Sequence, residues 1–371
     1  MQVNFMTKTI CHLTSVHQYN DTRIFHKECV SLARYGYPTY LISLGCETKK
    51  VDGVNVISSG PKFSSKFKRM TQGVYSVYKK AIEINADVYH FHDPELLFVG
   101  WLLKQKGKKV IYDVHEDVPR QILSKPWIWK PIQTSVSIGT EKIENFIASK
   151  LSGIITATST IANRFSQINK NTIAINNYPL LEELQTNTIW ENKKNEICYI
   201  GGISIVRGIV ELNKAIAFNT TIKLNLVGNF QPPSLAKELE PHLFWKQINY
   251  LGFVDRKKIA EILAVSKVGM VTLHPIINYL DAHPIKMFEY MSAGIPVIAS
   301  NFPLWKSIVE GNQCGICINP MNPKEIADAI TYLLAHDKEA EQMGKNGRKA
   351  IEEKFNWEME EQKLIAFYQN L

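Results

Sequence analysis

Short apolar, β-branched runs alternate with amphipathic helical stretches along the whole chain, and few folds satisfy that alternation except parallel sheets with crossover helices. In the first half, strands are expected at 9–14, 39–43, 54–58, 88–92, 110–114, 153–157 and 173–176. A helix at 65–84 brings Phe67, Met70, Val74, Val77, Tyr78 and Ala81 onto one face. The polar stretch 179–195 opens on Pro179, carries no strand pattern and reads as a linker. A second alternating run follows, with strands at 197–200, 223–227, 248–253, 268–272, 297–299 and 315–318. Its helices fall near 208–218, 256–265, 284–293, 303–310 and 323–335, with further helical segments at 338–353 and 357–370. Open sheets of this kind bind ligands at the carboxyl ends of their strands, so two units facing each other would place the active site in the cleft between them.

The 371 residues suit two or three domains, and 45% apolar with 21% charged residues excludes a mostly disordered chain. No apolar run approaches the roughly 18–20 residues that span a bilayer, and the N-terminus lacks the apolar core of a signal peptide. Six cysteines then read as reduced thiols in a cytosolic protein. Charge is uneven: residues 1–185 hold 23 Lys+Arg against 15 Asp+Glu, and residues 186–371 hold 20 of each. The whole net charge of +8 lies in the first half, which points that half toward an anionic partner.

Two segments of the second half carry chemistry. In NYLDAHPIKMFEYMSAGIPVIAS (278–300), Pro284 suits a helix start and Gly294-Ile295-Pro296 ends that helix. The turn aims free N–H groups at the preceding loop, a site for an anion. Lys286 lies in that first turn, where a cation opposes the helix dipole unless an anionic ligand shares the site. In YIGGISIVRG (199–208), a strand ends at Gly201-Gly202 and Arg207-Gly208 opens the next helix; glycine admits a ligand close to the backbone, and arginine grips phosphate with a planar fork. Gly228-Asn229 ends the following strand in a similar turn. The segment is neither a dinucleotide fingerprint nor a P-loop.

Together these segments resemble the donor half of retaining glycosyltransferases of family 4, which have the GT-B fold. PIKMFEYMSAGIPVIAS (284–300) is similar to a hallmark of the branch that builds bacterial capsule and O-antigen polysaccharides. Val16-His17 with DTRIFHKE (21–28), HDPEL (92–96), YDVHE (112–116), YIGG (199–202) with Arg207-Gly208-Ile209, and Asn312, Cys314-Gly315 and Asn319-Pro320 add to the resemblance, which covers nearly the whole chain. It implies two Rossmann-like domains facing across a cleft. The acceptor domain is 1–182 plus a C-terminal helix, 356–371, that crosses back to it; the donor domain is 183–355. The family's two acids fall on Asp281, where it usually carries Glu, and Glu289. The resemblance gives Glu289 the donor ribose and Asp281 the sugar near the reacting carbon. Where the family often has an arginine after the first strand glycine, this chain has Gly202, which leaves Arg207 and Lys286 for the diphosphate. Gly201, Gly228, Asn229, Phe253, Val254 and Met287 complete the expected donor site.

In the first half His92, Asp93, Glu95, Asp113, His115 and Glu116 each follow an expected strand and so face the cleft. Asp113 can orient His115 by hydrogen bonding, and the resemblance assigns His115 to the family's cleft histidine, beside the donor sugar. His17, Asp21 and Arg23 are expected to meet acceptor or diphosphate; a helix cap with surface charges is the alternative. No Asp-x-Asp occurs, so no divalent-metal cradle is evident; metal-independent transfer without a cofactor is expected. Cys314 and Cys317, lacking a second pair, read as structural. Lys62, Lys66, Lys68, Arg69, Lys79 and Lys80, with Trp127 and Trp129 between lysines, resemble an interfacial membrane patch; nucleic acid is not expected, for want of a binding motif. The expected activity is transfer of a sugar from a nucleotide diphosphate, UDP first, to a lipid-linked saccharide at the inner face of the cytoplasmic membrane. A nucleotide-sugar epimerase and a non-catalytic nucleotide-sugar-binding subunit are the alternatives.

Overall fold

The computed structural model describes residues 8–123, 125, 128–181, 184, 188–239, 241, 244 and 246–371. The chain divides into two compact units, Met1–Asn177 with Glu360–Leu371, and Tyr178–Met359.

The first unit is built on eight strands: β1 (Ile10–Leu13), β2 (Thr39–Ser43), β3 (Lys49–Val51), β4 (Val54–Ser58), β5 (Val88–Phe91), β6 (Lys109–Val114), β7 (Gly153–Thr156) and β8 (Thr172–Ala174). Their order is β3-β4-β2-β1-β5-β6-β7-β8, parallel except for the β3–β4 hairpin. That hairpin is absent from the sequence expectation because Lys49-Lys50-Val51 carries no apolar run. Side chains alternate across the sheet. Cys11 and Leu13 of β1, Tyr89 and Phe91 of β5, and Val110, Tyr112 and Val114 of β6 enter one apolar core. The alternate positions His12, His90 and Asp113 lie on the opposite face. Residues 360–371, the greater part of helix Trp357–Gln369, pack on this unit, where the Tyr368 hydroxyl lies 2.7 Å from His90 Nδ1.

The helix expected at 65–84 is interrupted. A short turn, Lys66–Lys68, runs into a π-helical segment, Arg69–Gly73, before the α-helix Val74–Ile84. A π-turn inserts a residue and rotates everything before it by about 100° relative to the α-helical face. Val77 and Ala81 are therefore buried as the pattern requires, whereas Phe67 and Met70 are exposed.

The second unit has six strands, all parallel: β9 (Glu196–Ile200), β10 (Lys223–Val227), β11 (Ile248–Gly252), β12 (Val268–Val271), β13 (Val297–Ser300) and β14 (Gly315–Ile318). The order β11-β10-β9-β12-β13-β14 is that of a Rossmann sheet, and its direction of progression reverses between β9 and β12. The turn after β9 is therefore the place where a ligand is expected. One core fills both faces, with Trp305, Tyr199 and Tyr290 among its largest members.

Candidate functional site

In the second unit β9 ends at Ile200, and two cations lie over the Gly201 that follows it, Arg207 from the next turn and Lys286 from a later helix. A Cβ at Gly201 would sit 3.4 Å from Lys286 Nζ and 3.9 Å from Arg207 Nη1. At Gly202 an added Cβ would come within 2.7 Å of Arg207 Nη1 and 2.9 Å of Gln231 Oε1. The missing side chain at 202 leaves the room in which the Arg207 guanidinium folds back, donating to the Gly202 carbonyl at 3.2 Å. Gly208 is equally constrained. Its φ is +79°, and a Cβ there would lie 1.8 Å from the Thr272 carbonyl oxygen, so the turn holds its helix tight against the end of β12.

Lys286 enters from helix Ile285–Ser292 and places Nζ 3.6 Å from the centroid of the Tyr199 ring. The ring is fixed by its hydroxyl, which donates to the Gly202 carbonyl at 2.8 Å. Nζ is buried and has no hydrogen-bond partner among the described residues. Burial, and then the neighbouring Arg207, hold the ammonium well below its ordinary pKa. Such a group is stable as a cation only when an anion comes to it.

One turn further along the helix, Glu289 is buried and Arg256 Nη1 donates to its Oε1 at 2.5 Å. The sequence reading does not contain Arg256; its only signal is a basic first turn, Arg256 to Lys258, on the helix after β11. Asn229 and Phe253 are exposed at strand ends, Val254 packs on the core edge, and Met287 is fully buried. Gly228 lies beneath Gly201, where a Cβ would strike the Gly201 carbonyl oxygen at 2.0 Å. Met287 and Gly228 thus support the donor turn from within rather than line it. Asp281 is exposed at the end of the short helix Ile277–Leu280.

In the first unit the strand-end motifs converge on Asp113. It is fully buried and receives Arg23 through Nε at 2.9 Å and Nη2 at 2.8 Å, while His92 Nδ1 stands 3.0 Å and His115 Nε2 2.8 Å from Oδ2. Burial raises the Asp113 pKa, but Arg23 first and His115 next hold it well below the usual carboxylate range. Arg23, expected from sequence to meet acceptor or diphosphate, is 3% exposed and also donates to the Ile175 carbonyl. Asp113, His92 and Asp93, expected at open strand ends, are buried as well. Asp93 accepts from the Thr14 hydroxyl and the Ser15 and Val16 amides, fixing the loop after β1. The reason is common: a carboxylate or imidazole at the carboxyl end of an inner strand is covered by its neighbours' loops.

His17, Asp21, His115 and Glu116 remain partly or fully exposed, whereas the Glu95 side chain is largely covered. His17 bridges Asp21 at 3.3 Å and Asp93 at 3.4 Å; burial lowers its pKa, but these carboxylates outweigh burial and raise it. Asp21 doubles as a helix cap, accepting from the Arg23 and Ile24 amides. Glu95 accepts from Ser15 Oγ and Arg69 Nε, both at 2.9 Å, and Glu116 is bonded by Gln121. Beside them is a cavity of about 220 Å³ lined by Ser15, His17, Tyr19, Lys62, Phe63 and Arg69.

Among the described residues two groups have metal-ligating chemistry at ligand spacing: His12, Glu28, His90 and His92, and His92, Asp113 and His115. All six cysteines are free, and burial pushes Cys314 and Cys317 up to about 12, which leaves them as inert thiols. Among the described residues no helix is long and apolar enough to cross a membrane. Trp129 is exposed, and Trp127 lies outside the described residues.

Residues 182–350 match the model of the family Glycosyl transferases group 1, and residues 23–175 that of Glycosyltransferase Family 4. Spore coat protein SA of Bacillus subtilis is 28% identical over 123 residues, 33% of this chain and 32% of that protein. An uncharacterized glycosyltransferase of Methanocaldococcus jannaschii is 23% identical over 328 residues, 83% of this chain and 80% of that one. The chain thus spans only about a third of the spore coat protein. Among solved structures, sucrose-phosphate synthase from Thermosynechococcus elongatus superposes with a TM-score of 0.79 at 17% identity, covering 98% of each chain. Anabaena HepE in complex with UDP follows with 0.73 at 15%, over 98% of this chain and 100% of that one. WaaG, a glycosyltransferase involved in lipopolysaccharide biosynthesis, gives 0.71 at 13%, over 96% and 99%.

Proposed function

We propose that this chain of GT-B fold is a family-4-like glycosyltransferase that transfers a sugar, with retention at the anomeric carbon, from a UDP-sugar to a lipid-linked saccharide; the matches of residues 182–350 to Glycosyl transferases group 1 and of residues 23–175 to Glycosyltransferase Family 4 support this reading. The observation that carries the donor half of this reading is the buried, unpartnered Lys286 ammonium beside Arg207 at the reversal point of the sheet. Two cations and the first turn of helix Ile285–Ser292 suit a diphosphate and suit it better as it leaves. In the reaction the bond between the anomeric carbon and the β-phosphate oxygen breaks, and the acceptor hydroxyl oxygen bonds to that carbon on the same face. The acceptor proton passes to the departing diphosphate, and Arg207 and Lys286 take up the charge developing there, with no metal required for it. Glu289, held by Arg256, is assigned to the ribose hydroxyls and Asp281 to the donor sugar.

The acceptor belongs to the first unit. Its cavity carries Lys62 and Arg69, and helix Val74–Ile84 with the turns before it exposes Phe67, Met70 and Tyr75 among Lys66, Lys68 and Lys79. An apolar strip rimmed by lysines suits the headgroup region of an anionic membrane. We place the enzyme on the inner face of the cytoplasmic membrane, in capsule or O-antigen assembly, and HepE with UDP and WaaG in lipopolysaccharide synthesis are the relatives that support the donor and the pathway.

The test is incubation of the purified protein with UDP-, GDP- and dTDP-sugars, with and without a bacterial lipid extract. Nucleotide release that requires the lipid, and a product with the donor's anomeric configuration by NMR, is the expected result. Isomerised donor without lipid would make the protein an epimerase; binding without turnover would make it a nucleotide-sugar-binding subunit. Arg207→Ala and Glu289→Ala should each weaken donor binding by about 10- to 100-fold, the loss of one charge-assisted contact at about 1.5–3 kcal/mol.

A further inference from the structure

One face of the first sheet carries ligand-type side chains that the sugar chemistry does not use. His90 and His92 are two residues apart at the end of β5, so alternation puts both imidazoles on the same face. His12 is the register partner of His90 on β1. Glu28 reaches the same point from the π-helical segment Thr22–Cys29. All four are at most 2% exposed.

Glu28 Oε2 lies 3.9 Å from His12 Nδ1, 3.9 Å from His90 Nδ1 and 4.0 Å from His92 Nε2. His12 Nδ1 and His92 Nε2 are 2.9 Å apart, and one ligand atom from each of the four residues lies within 4.8 Å of all the others. These spacings bracket the edge of roughly 3.3 Å that a tetrahedron with bonds of about 2.0 Å requires. Neither Glu28 oxygen, nor His90 Nε2, has a hydrogen-bond partner among the described residues, although Arg23 Nε stands 3.1 Å from Oε1. With Arg23 on the Oε1 side, Oε2 is left buried among three imidazoles without a hydrogen bond, which is costly, and a cation at the common point removes that cost. The outer contacts fit as well. His92 turns Nδ1 to Asp113 at 3.0 Å, which fixes Nε2 as its metal-facing nitrogen, and His12 turns Nε2 to the Tyr368 hydroxyl at 3.4 Å. The other group, His92 with Asp113 and His115, is weaker because Arg23 already holds both Asp113 oxygens.

We propose that His12, Glu28, His90 and His92 bind one Zn2+ ion in a closed structural site that fastens β1, β5 and the 22–29 segment together. Two strands with a His-x-His pair and a facing histidine supply the nitrogen ligands, and the carboxylate completes the four. Binding replaces the 2.7 Å contact between His90 Nδ1 and the Tyr368 hydroxyl. The site lies wholly within the first unit and is independent of the sugar-transfer reading.

The test uses the full-length protein, purified and dialysed against metal-free buffer, with metal content read by plasma mass spectrometry. The stripped protein is then titrated with Zn2+ and with Co2+. The expected results are about one zinc per chain, a lower thermal midpoint after stripping that Zn2+ restores, and a Co2+ form with tetrahedral d–d bands and no thiolate charge-transfer band. Glu28→Gln and His90→Gln should each weaken Zn2+ binding on the order of 100-fold. Protein that carries no zinc and takes up neither ion overturns the proposal. So does a thiolate band, which would put the ion on cysteine, or full uptake by both variants. Should the variants fail to fold, the wild-type content, midpoint and spectrum still decide.

Discussion

Lys286 sets the free protein against its ligand. In the free protein its ammonium is buried without a hydrogen-bond partner among the described residues, offset by the face of Tyr199 and by the Glu289 carboxylate. Lys286→Met keeps the unbranched stem and removes the charge, so it should raise the stability of the free protein by about 1–3 kcal/mol while donor affinity falls at least tenfold. A lysine kept for packing would lose stability instead, so thermal melts beside UDP titrations separate the two. The same residue gives donor binding a pH dependence. Burial and Arg207 hold its pKa in the free protein well below that of the unfolded chain, about 10.4. In the window between those two values the unfolded chain binds the extra proton, so stability of the free protein rises with pH there. A diphosphate restores the proton, so donor binding in that window takes one up, and affinity falls as pH rises. Calorimetry in two buffers of different ionisation enthalpy should show uptake in wild type and none in Lys286→Met; equal heats in both buffers for wild type would refute it.

At the scale of elements, the turn after β9 separates two kinds of glycine. At Gly202 an added Cβ meets the far end of Arg207, which can swing away; at Gly208 it meets the Thr272 backbone at 1.8 Å, which cannot, and φ is +79°. Gly202→Ala should therefore leave the melting temperature nearly unchanged and weaken UDP binding by displacing the guanidinium. Gly208→Ala should destabilise the second unit by more than the roughly 1–2 kcal/mol of the left-handed backbone alone. Thermal melts and UDP titration of both variants check the contrast. The elements themselves were largely legible, because a parallel strand buried on both faces is a short, largely β-branched run, as in Gly153–Thr156 or Val297–Ser300. The hairpin strand Lys49–Val51 was not, since its pairing follows from the turn and not from hydrophobicity. Nor was the π-helical break at 69–73, which leaves the periodicity on either side intact. In the donor turn, sequence reading reached Arg207, Lys286 and Glu289 but not Arg256, because an ion pair across 33 residues leaves no local pattern. In the first unit it found Arg23 and Asp113 and misjudged their exposure. Burial at a strand end depends on loops that local pattern does not describe, and the alternating His12, His90 and His92 could have signalled an inward polar face.

For the molecule as a whole, the uneven charge is the long-range feature. The first half carries all of the net +8, yet its buried cations Arg23 and Lys27 are held in place, by Asp113 and the Asn177 side chain, and Arg69 and Lys80 are paired with Glu95 and Glu83. The excess is therefore exposed, on Lys62, Lys66, Lys68 and Lys79 among others, alongside Phe67, Met70 and Tyr75. The donor turn works with Arg207 and Lys286 at short range and needs none of that excess. Membrane affinity and donor affinity should then respond separately. Screening shortens from about 10 Å at 0.1 M salt to about 3 Å at 1 M, and each lysine near an anionic surface contributes about 1 kcal/mol. Sedimentation with vesicles containing anionic lipid should show binding that falls steeply between those salt concentrations and is absent on purely zwitterionic vesicles. Lys66→Glu with Lys68→Glu should reduce vesicle binding by at least tenfold, and Phe67→Ser should reduce it further at any salt, because its contribution is apolar burial and not charge. UDP affinity should stay at the wild-type value in all three substitutions. Vesicle binding that ignores both salt and these side chains would remove the membrane from the assignment and leave the basic half to a water-soluble anionic acceptor.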